Sequence, residues 1–479
     1  MIRIPSLLVT LLIGSGQALS DTPPALDAGS VATAHVLAGQ ALESRLAYEL
    51  TESLTTEIGP RFAGTPHDER AQAWAVDKLT MLGFENVRVE PFEMDFWTRG
   101  STGLEFVEIV APFPQPLIAT ALGGSAATPE GGLEAEVAFF PSFDDLLAFD
   151  SSPDALDGKI VYVNDRMVAS RTAEGYGPAN RKRTQAWIQA EDRGAVGVLI
   201  RSVGTSSNRF PHTGMMSRPD GRTASIPAMA LAAPDADQIE RIHSRGERLT
   251  VRMGTQAGWR GRASSGNVIA EVIGSEAPEE IVLIGAHLDS WDNSPGALDD
   301  GAGVGIVTAA AKLILDHGQR PRRTIRVVLF GAEEVGLLGA RAYAEARAED
   351  GTLENHMIGS ESDLGARRVW RLSSNVAAQA YSFFDAMQTE MQHLGILRGP
   401  NAGGGGPDMI PLQQMGMPVA RLNQNGEDMF EFHHTPNDTF DKIVPEEMAQ
   451  NVAAWAMFTW LLADTDLDFR EPGRATSIE

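Results

Sequence analysis

Two segments in the second half of the chain, EIVLIGAH (280–287) and TIRVVLF (324–330), are apolar at almost every position. A strand with one wet face alternates polar and apolar residues. A strand this uniformly apolar must be covered on both faces, the condition of parallel strands packed between helices. The residues that follow each run supply such helices: Ala302 to Leu315 and Val335 to Ala346 carry apolar side chains at helical spacing. HMIGSESD (356–363) and VARLN (419–423) read as further strands, and Glu446 to Leu462 as a closing amphipathic helix. The expected fold class is α/β, a mostly parallel central sheet sandwiched by helices.

At 479 residues the chain exceeds one ordinary domain. Thr65-Pro66 followed by Asp68 and Glu69 marks a helix start, with a capping residue, Pro in the first turn and early acids. Gly83 ends that helix, and 85–91 alternates like a strand. Beyond Pro112, Pro114 and Pro116 the character changes, with glycine pairs at 123–124 and 131–132. Short strands are expected at 158–163, 197–202 and 226–231, and a helix from Gln185 to Arg193. A structureless loop of this length is implausible. Residues 112–258 therefore read as an α+β module inserted into a larger domain formed by 21–111 and 259–479.

The first 20 residues read as a secretory signal, with Arg3, the apolar run Leu7 to Ile13, and a small-x-small cleavage site at Ala18-Leu19-Ser20. The run is too short to span a bilayer, so a secreted or periplasmic protein is expected. With 39 basic against 64 acidic residues the net charge is −25, which argues against nucleic acid or an anionic membrane as partner. There are no cysteines, so any metal must be held by histidine and carboxylate.

Such residues gather where a sheet of this kind builds its sites, beyond the carboxyl ends of strands. His287 ends one strand and Asp289 follows it; Glu333 and Glu334 follow another; Asp363 ends a third. Asp299 and His434 complete a donor set that suits zinc or its neighbours rather than calcium. In this reading Asp299 bridges two ions, His287 and Asp363 serve one, and Glu334 and His434 the other. Buried carboxylates at this density need a cation. Glu333, beside a ligand, is the expected general base, and Asp289 the expected acceptor for the other ring nitrogen of His287. The glycine-rich run ALDDGAGVG (297–305) lacks dinucleotide-binding spacing, and its two aspartates would repel a pyrophosphate.

GAHLDSWDNSPGALDDGAGVG, LFGAEEVGLLGA, ESDLGA and FHHTPNDTFD resemble the motifs of the co-catalytic zinc aminopeptidase and glutamate carboxypeptidase family. The similarity runs from about residue 40 to 465. IGPRFAGT (58–65) fits it, the insert resembles a protease-associated domain, and PHTGM (211–215) with the doubled histidine resembles the plasma glutamate carboxypeptidase branch. The resemblance implies two zinc ions on His287, Asp299, Glu334, Asp363 and His434, with Glu333 as base. It also implies a cis peptide between Asp299 and Asp300, a homodimer, and short peptide substrates with free termini. His433 stands where many relatives carry an oxyanion-stabilising tyrosine. Asp408 resembles an acid lining the substrate pocket, and His212 is a candidate to reach the site from the insert. The competing expectations are an aminopeptidase acting on longer peptides, a non-catalytic binding protein, and a one-zinc cyclase-like transferase.

Overall fold

The computed structural model describes residues 26–100 and 104–470. The expected signal peptide lies outside them. The central sheet has eight strands: β1 (Glu85–Thr98), β2 (Gly258–Val272), β3 (Ala277–His287), β4 (Arg323–Phe330), β5 (His356–Glu361), β6 (Val369–Asn375), β7 (Leu397–Arg398) and β8 (Val419–Gln424), in the order β1-β2-β4-β3-β5-β8-β6-β7. β4, β3, β5 and β8 form the parallel centre. Antiparallel pairings flank it, β1 and β2 on one side and β6 on the other.

The apolar runs are explained by what covers them. Val282, Ile284 and Ala286 of β3 face a core shared with helices Ala302–His317 and Pro445–Ala463. Ile281 and Leu283 face the other way, into a core shared with helix Leu338–Glu349. In β4, Ile325, Val327 and Leu329 join the first core, Val328 and Phe330 the second. Both faces are dry, so neither strand can alternate.

The helix Pro66–Met81 begins where its signals put it, with Thr65 capping the amide of Asp68. Three expectations need adjusting. The closing helix Pro445–Ala463 is buried around its whole circumference from Met448 onward, not along one stripe, because helix Ala28–Glu43 packs over it. The helix expected from Val335 starts at Leu338, after a turn in which Leu337 takes a positive φ of 58°. The helix expected from Gln185 starts at Tyr176, because the charged run from Arg181 to Arg183 hides its periodicity: Lys182 and Arg183 are buried.

A second eight-stranded sheet uses residues between Phe106 and Gly254. Its strands Leu133–Phe140, Ile160–Val163, Gly197–Arg201 and Ala228–Leu231 run parallel. Its first strand, Phe106–Ala111, precedes the three prolines, which lie in and after the turn that follows it. Among the described residues, no helix is long and apolar enough to cross a membrane.

Candidate metal centre

Because β3, β4 and β5 are parallel, their carboxyl ends deliver His287, the pair Glu333-Glu334 and Asp363 to one edge of the sheet. Asp299 comes from the turn that starts helix Ala302–His317, and His434 from the turn after Met429–Phe432. Donor atoms of His287, Asp299 and Glu334 lie within 4.8 Å of one another, as do those of Asp299, His433 and His434, and those of His287, Asp300 and Asp363. Asp299 belongs to two of these groups. Its Oδ1 is 3.1 Å from His287 Nε2, and its Oδ2 is 3.4 Å from His434 Nε2. Glu334 Oε2 is 2.9 Å from His434 Nε2 and accepts the Trp291 indole N–H at 2.6 Å.

The two outer histidines present Nε2 inward because their Nδ1–H groups are committed elsewhere. His287 Nδ1 donates to the backbone carbonyl of Asp289 at 3.0 Å, and His434 Nδ1 to that of Thr213 at 3.2 Å. An imidazole fixed in this tautomer is the usual form of a metal ligand. The Asp289 carboxylate stands 3.6 Å from the His287 ring and has another task. It accepts the backbone amides of Glu333 at 3.0 Å and Glu334 at 3.3 Å.

Two more aspartates act in the same way. Asp300 accepts the amides of His287 and Gly303 at 3.2 and 3.1 Å, and Asp438 those of Leu298 and Asp299 at 2.7 and 3.1 Å. The segments bearing His287, Asp299 and the Glu333-Glu334 pair are thus each pinned by a buried carboxylate that lies one to four residues from another candidate donor. The fully buried Arg61 ties down the intervening loop, donating to the carbonyls of Leu288 at 2.5 Å, Gly296 at 3.0 Å and Pro295. The Asp299–Asp300 peptide is cis. Ala332 (φ 58°), just before Glu333, and His434 (φ 60°) hold left-handed backbone without glycine, a cost concentrated at functional sites.

The electrostatics fit a cation. Burial drives Glu334 well above the usual carboxylate range, and repulsion from Asp299 and Glu333 adds to it. Burial does the same to Glu333, opposed by His287 and reinforced by Asp363. His287 is held well above its ordinary value although burial opposes it, through its contacts with Asp289 and Asp299. Asp299 Oδ2 is buried and has no hydrogen-bond partner. Acids that repel one another around an orphaned oxygen form a site that metal ions would satisfy.

The remaining expected residues surround this centre. His433 stacks on His434 with ring centroids 3.5 Å apart, and its Nε2 is 3.6 Å from Asp299 Oδ2. Burial lowers its pKa to about 3, so the ring is neutral. His212 is buried behind it, and its Nδ1–H donates to the His433 carbonyl at 2.7 Å. Asp408 is fully buried, with its amide on Glu361 Oε2 at 2.8 Å and both carboxylate oxygens unpartnered. The sequence reading missed Arg61, Asp438, Glu361 and Thr213. It also missed Arg183, whose Nη2 donates to the Tyr176 hydroxyl at 2.6 Å while its Nη1 lies 3.3 Å from His434 Nδ1. Asp438 had one available signal, its place four residues after His434 in a turn-forming Thr-Pro-Asn-Asp run.

Comparison with known proteins adds to this geometry. The model of peptidase family M28 matches residues 267–459. Carboxypeptidase Q of Bos taurus is 35% identical over 419 residues, covering 88% of this chain and 85% of that protein. Aminopeptidase YwaD of Bacillus subtilis is 25% identical over 423 residues, covering 85% of this chain and 82% of that protein. Among solved structures, a peptidase M28 precursor from Shewanella amazonensis SB2B superposes with a TM-score of 0.88 at 46% identity, covering 92% of this chain and 98% of that one.

Proposed function

We propose a specific chemistry for this chain, which belongs to peptidase family M28 and is a metallopeptidase: it is a two-zinc exopeptidase acting on short peptides with free termini, as a dipeptidase or carboxypeptidase. The observation that carries the reading is Asp299, whose two carboxylate oxygens lie near two different histidines, Oδ1 by His287 and Oδ2 by His434. His287 and Asp363 would hold one ion, Glu334 and His434 the other, and Asp299 both. When bound, such a pair polarises the scissile carbonyl and lowers the pKa of a water toward neutrality.

The chain's own residues supply the rest. Glu333 is half-buried, and its backbone is fixed by Asp289. It takes the proton of the attacking water and passes it to the leaving amine. Neutral His433 donates a ring N–H to the oxyanion as it develops. Asp289 and Asp300 hold the ligand backbones still through these steps. Thr213 and His212, from the segment between the two parts of the central sheet, support His434 and His433. This is how a protease-associated-like insert over 112–258 would complete the site.

The 35% identity to carboxypeptidase Q over most of the chain supports the carboxypeptidase reading. The similarity to an aminopeptidase keeps removal of N-terminal residues from longer peptides as the second reading. We further infer export of the mature chain and assembly as a homodimer. The deciding experiment is a peptide panel with free and blocked ends, run on protein of measured metal content. Loss of cleavage on blocking either end of a dipeptide is the expected result. Retained cleavage of long peptides with amidated C-termini would favour the aminopeptidase.

A further inference from the structure

Arg99 directly follows β1 and is 5% exposed. A guanidinium presents its N–H donors in a rigid planar fork, and burying it is costly unless each finds an acceptor. Here each does. Nε donates to Asp292 Oδ2 at 2.9 Å, and Nη2 to Asp292 Oδ1 at 2.8 Å and Thr213 Oγ1 at 3.1 Å. Nη1 donates to Thr120 Oγ1 at 2.7 Å and to the Ala121 carbonyl at 2.5 Å, with Glu105 a further 3.5 Å contact. One side chain thus joins the end of β1, two distant stretches of the segment that carries the second sheet, and the loop between His287 and Asp299.

Two of these partners lead on to candidate metal ligands. Thr213 meets His434 along its backbone: its amide donates to the His434 carbonyl at 3.0 Å, and its carbonyl accepts His434 Nδ1–H at 3.2 Å. The Thr213 hydroxyl that accepts from Arg99 donates in turn to the Ala121 carbonyl at 2.9 Å. Asp292 follows Trp291, whose indole N–H donates to Glu334 Oε2 at 2.6 Å. The Trp291 ring is held from several sides. The rings of Phe62 and Trp97 lie 5.2 and 6.4 Å away, centre to centre, and the Arg99 guanidinium carbon lies 6.0 Å from the ring centre. Gly123, just beyond the strand Ala119–Ala121, gives the ring its space: a Cβ there would lie 2.5 Å from Trp291 Cη2.

Glu334 and His434 are the pair proposed for one ion. The pair proposed for the other is supported from elsewhere. The amide of His287 rests on Asp300 and its Nδ1–H on the Asp289 carbonyl, while the carbonyl of Asp363 accepts Arg421 Nη2 at 2.7 Å from β8. All of these supports belong to the central sheet and its loops. The supports of Glu334 and His434 instead converge, through Trp291 and Thr213, on a single guanidinium.

We propose that Arg99 is a positioning residue that docks the segment carrying the second sheet onto the loop between His287 and Asp299, and thereby sets the ion site of Glu334 and His434 while leaving that of His287 and Asp363 to the central sheet. The proposal rests on the two-zinc reading. It makes the two sites unequal, one depending on a contact between distant segments and the other on local ones. Because such coupling is reciprocal, filling the dependent site also tightens the docking.

The test is chelator-competition titration of the full-length protein with zinc, with anomalous diffraction to place each ion. Arg99→Gln should weaken zinc at the Glu334–His434 site about 10- to 100-fold, the usual effect of losing a contact behind a ligand, and leave the other site nearly unchanged. Equal losses at both sites, which a general loosening of the fold would give, overturn the proposal. So does a loss at the other site alone, or no loss. Arg99→Gln leaves Asp292 and Glu105 without their cation, so Thr213→Val serves as the gentler variant. It removes the hydroxyl link to Arg99 and keeps the backbone carbonyl on His434. If Arg99→Gln does not fold, Thr213→Val decides: a smaller loss confined to the same ion is expected, and no loss overturns the proposal. A wild-type protein that binds one zinc sinks the two-zinc reading by itself. The docking role is then judged on metal-free protein by hydrogen exchange of the Trp291 indole N–H, its resonance assigned with Trp291→Phe. Arg99→Gln should speed that exchange, and an unchanged rate refutes the role.

Discussion

Asp438→Ala tests whether the buried aspartates hold the metal centre together. The wild-type carboxylate accepts the amides of Leu298 and Asp299 at 2.7 and 3.1 Å, in a position 1% exposed. Bonds to a charged acceptor are worth about 1.5–3 kcal/mol each, so the pair contributes about 3–6 kcal/mol. Burial, with repulsion from Asp299, pushes the carboxyl itself up to about 7 and offsets part of this. We expect a net loss of about 2–4 kcal/mol for alanine, near the upper range of single substitutions. Asparagine keeps one acceptor but turns an N–H₂ toward the second amide, and should fall between the two. Urea unfolding of the metal-free protein, followed by tryptophan fluorescence, separates this effect from metal linkage. The same amides aim the Asp299 carboxylate, so zinc affinity should fall about 10- to 100-fold, the usual effect of losing a supporting contact. An alanine variant within 0.5 kcal/mol of wild type at equal m-value, a threshold set at about the ordinary surface-substitution range, refutes the pinning argument. Lost stability with unchanged zinc affinity refutes the aiming argument alone.

Glu333→Gln should retain its metal and lose about 10²–10⁴-fold in kcat; metal analysis alongside single-turnover kinetics checks this, and surviving turnover removes Glu333 as base. Asp68 accepts the amide of Gly64 at 2.8 Å, and burial raises its pKa to about 6. An unfolded carboxyl titrates near 4, so between about pH 4 and 6 the folded protein binds the extra proton, and this group's stabilisation is lost as pH rises through that window. Asp68→Asn should therefore gain up to about 3 kcal/mol relative to wild type between pH 4 and pH 7 in urea titrations; a difference that does not move with pH contradicts it.

Much of the fold was legible because the parallel centre of the sheet writes itself as uninterrupted apolar runs. The candidate donors were legible because each lies within a few positions of a strand end or in a distinctive turn. What stayed hidden depends on contacts between distant segments. Arg61 meets the Leu288 carbonyl across 227 residues, and no local pattern distinguishes it from a surface arginine. Thr213 supports His434 through a backbone carbonyl, which carries no side-chain signature. The onset of the Tyr176–Glu191 helix was masked because burying Lys182 and Arg183 breaks the rule on which periodicity rests. Asp289 was identified as a supporting residue, but its carboxylate serves the Glu333-Glu334 turn while its carbonyl serves the histidine.

The hold of Arg61 and Thr213 on this centre bears on how small a working peptidase can be cut. The segment from 267 to 459 that matches the family contains all five residues proposed as donors and the proposed base. Excised alone, it would leave the carbonyls of Leu288, Pro295 and Gly296 without their guanidinium, and the outer nitrogen of His434 without its acceptor. The motifs that identify the enzyme and the unit that can operate as one are therefore of different lengths, and the longer begins no later than Arg61.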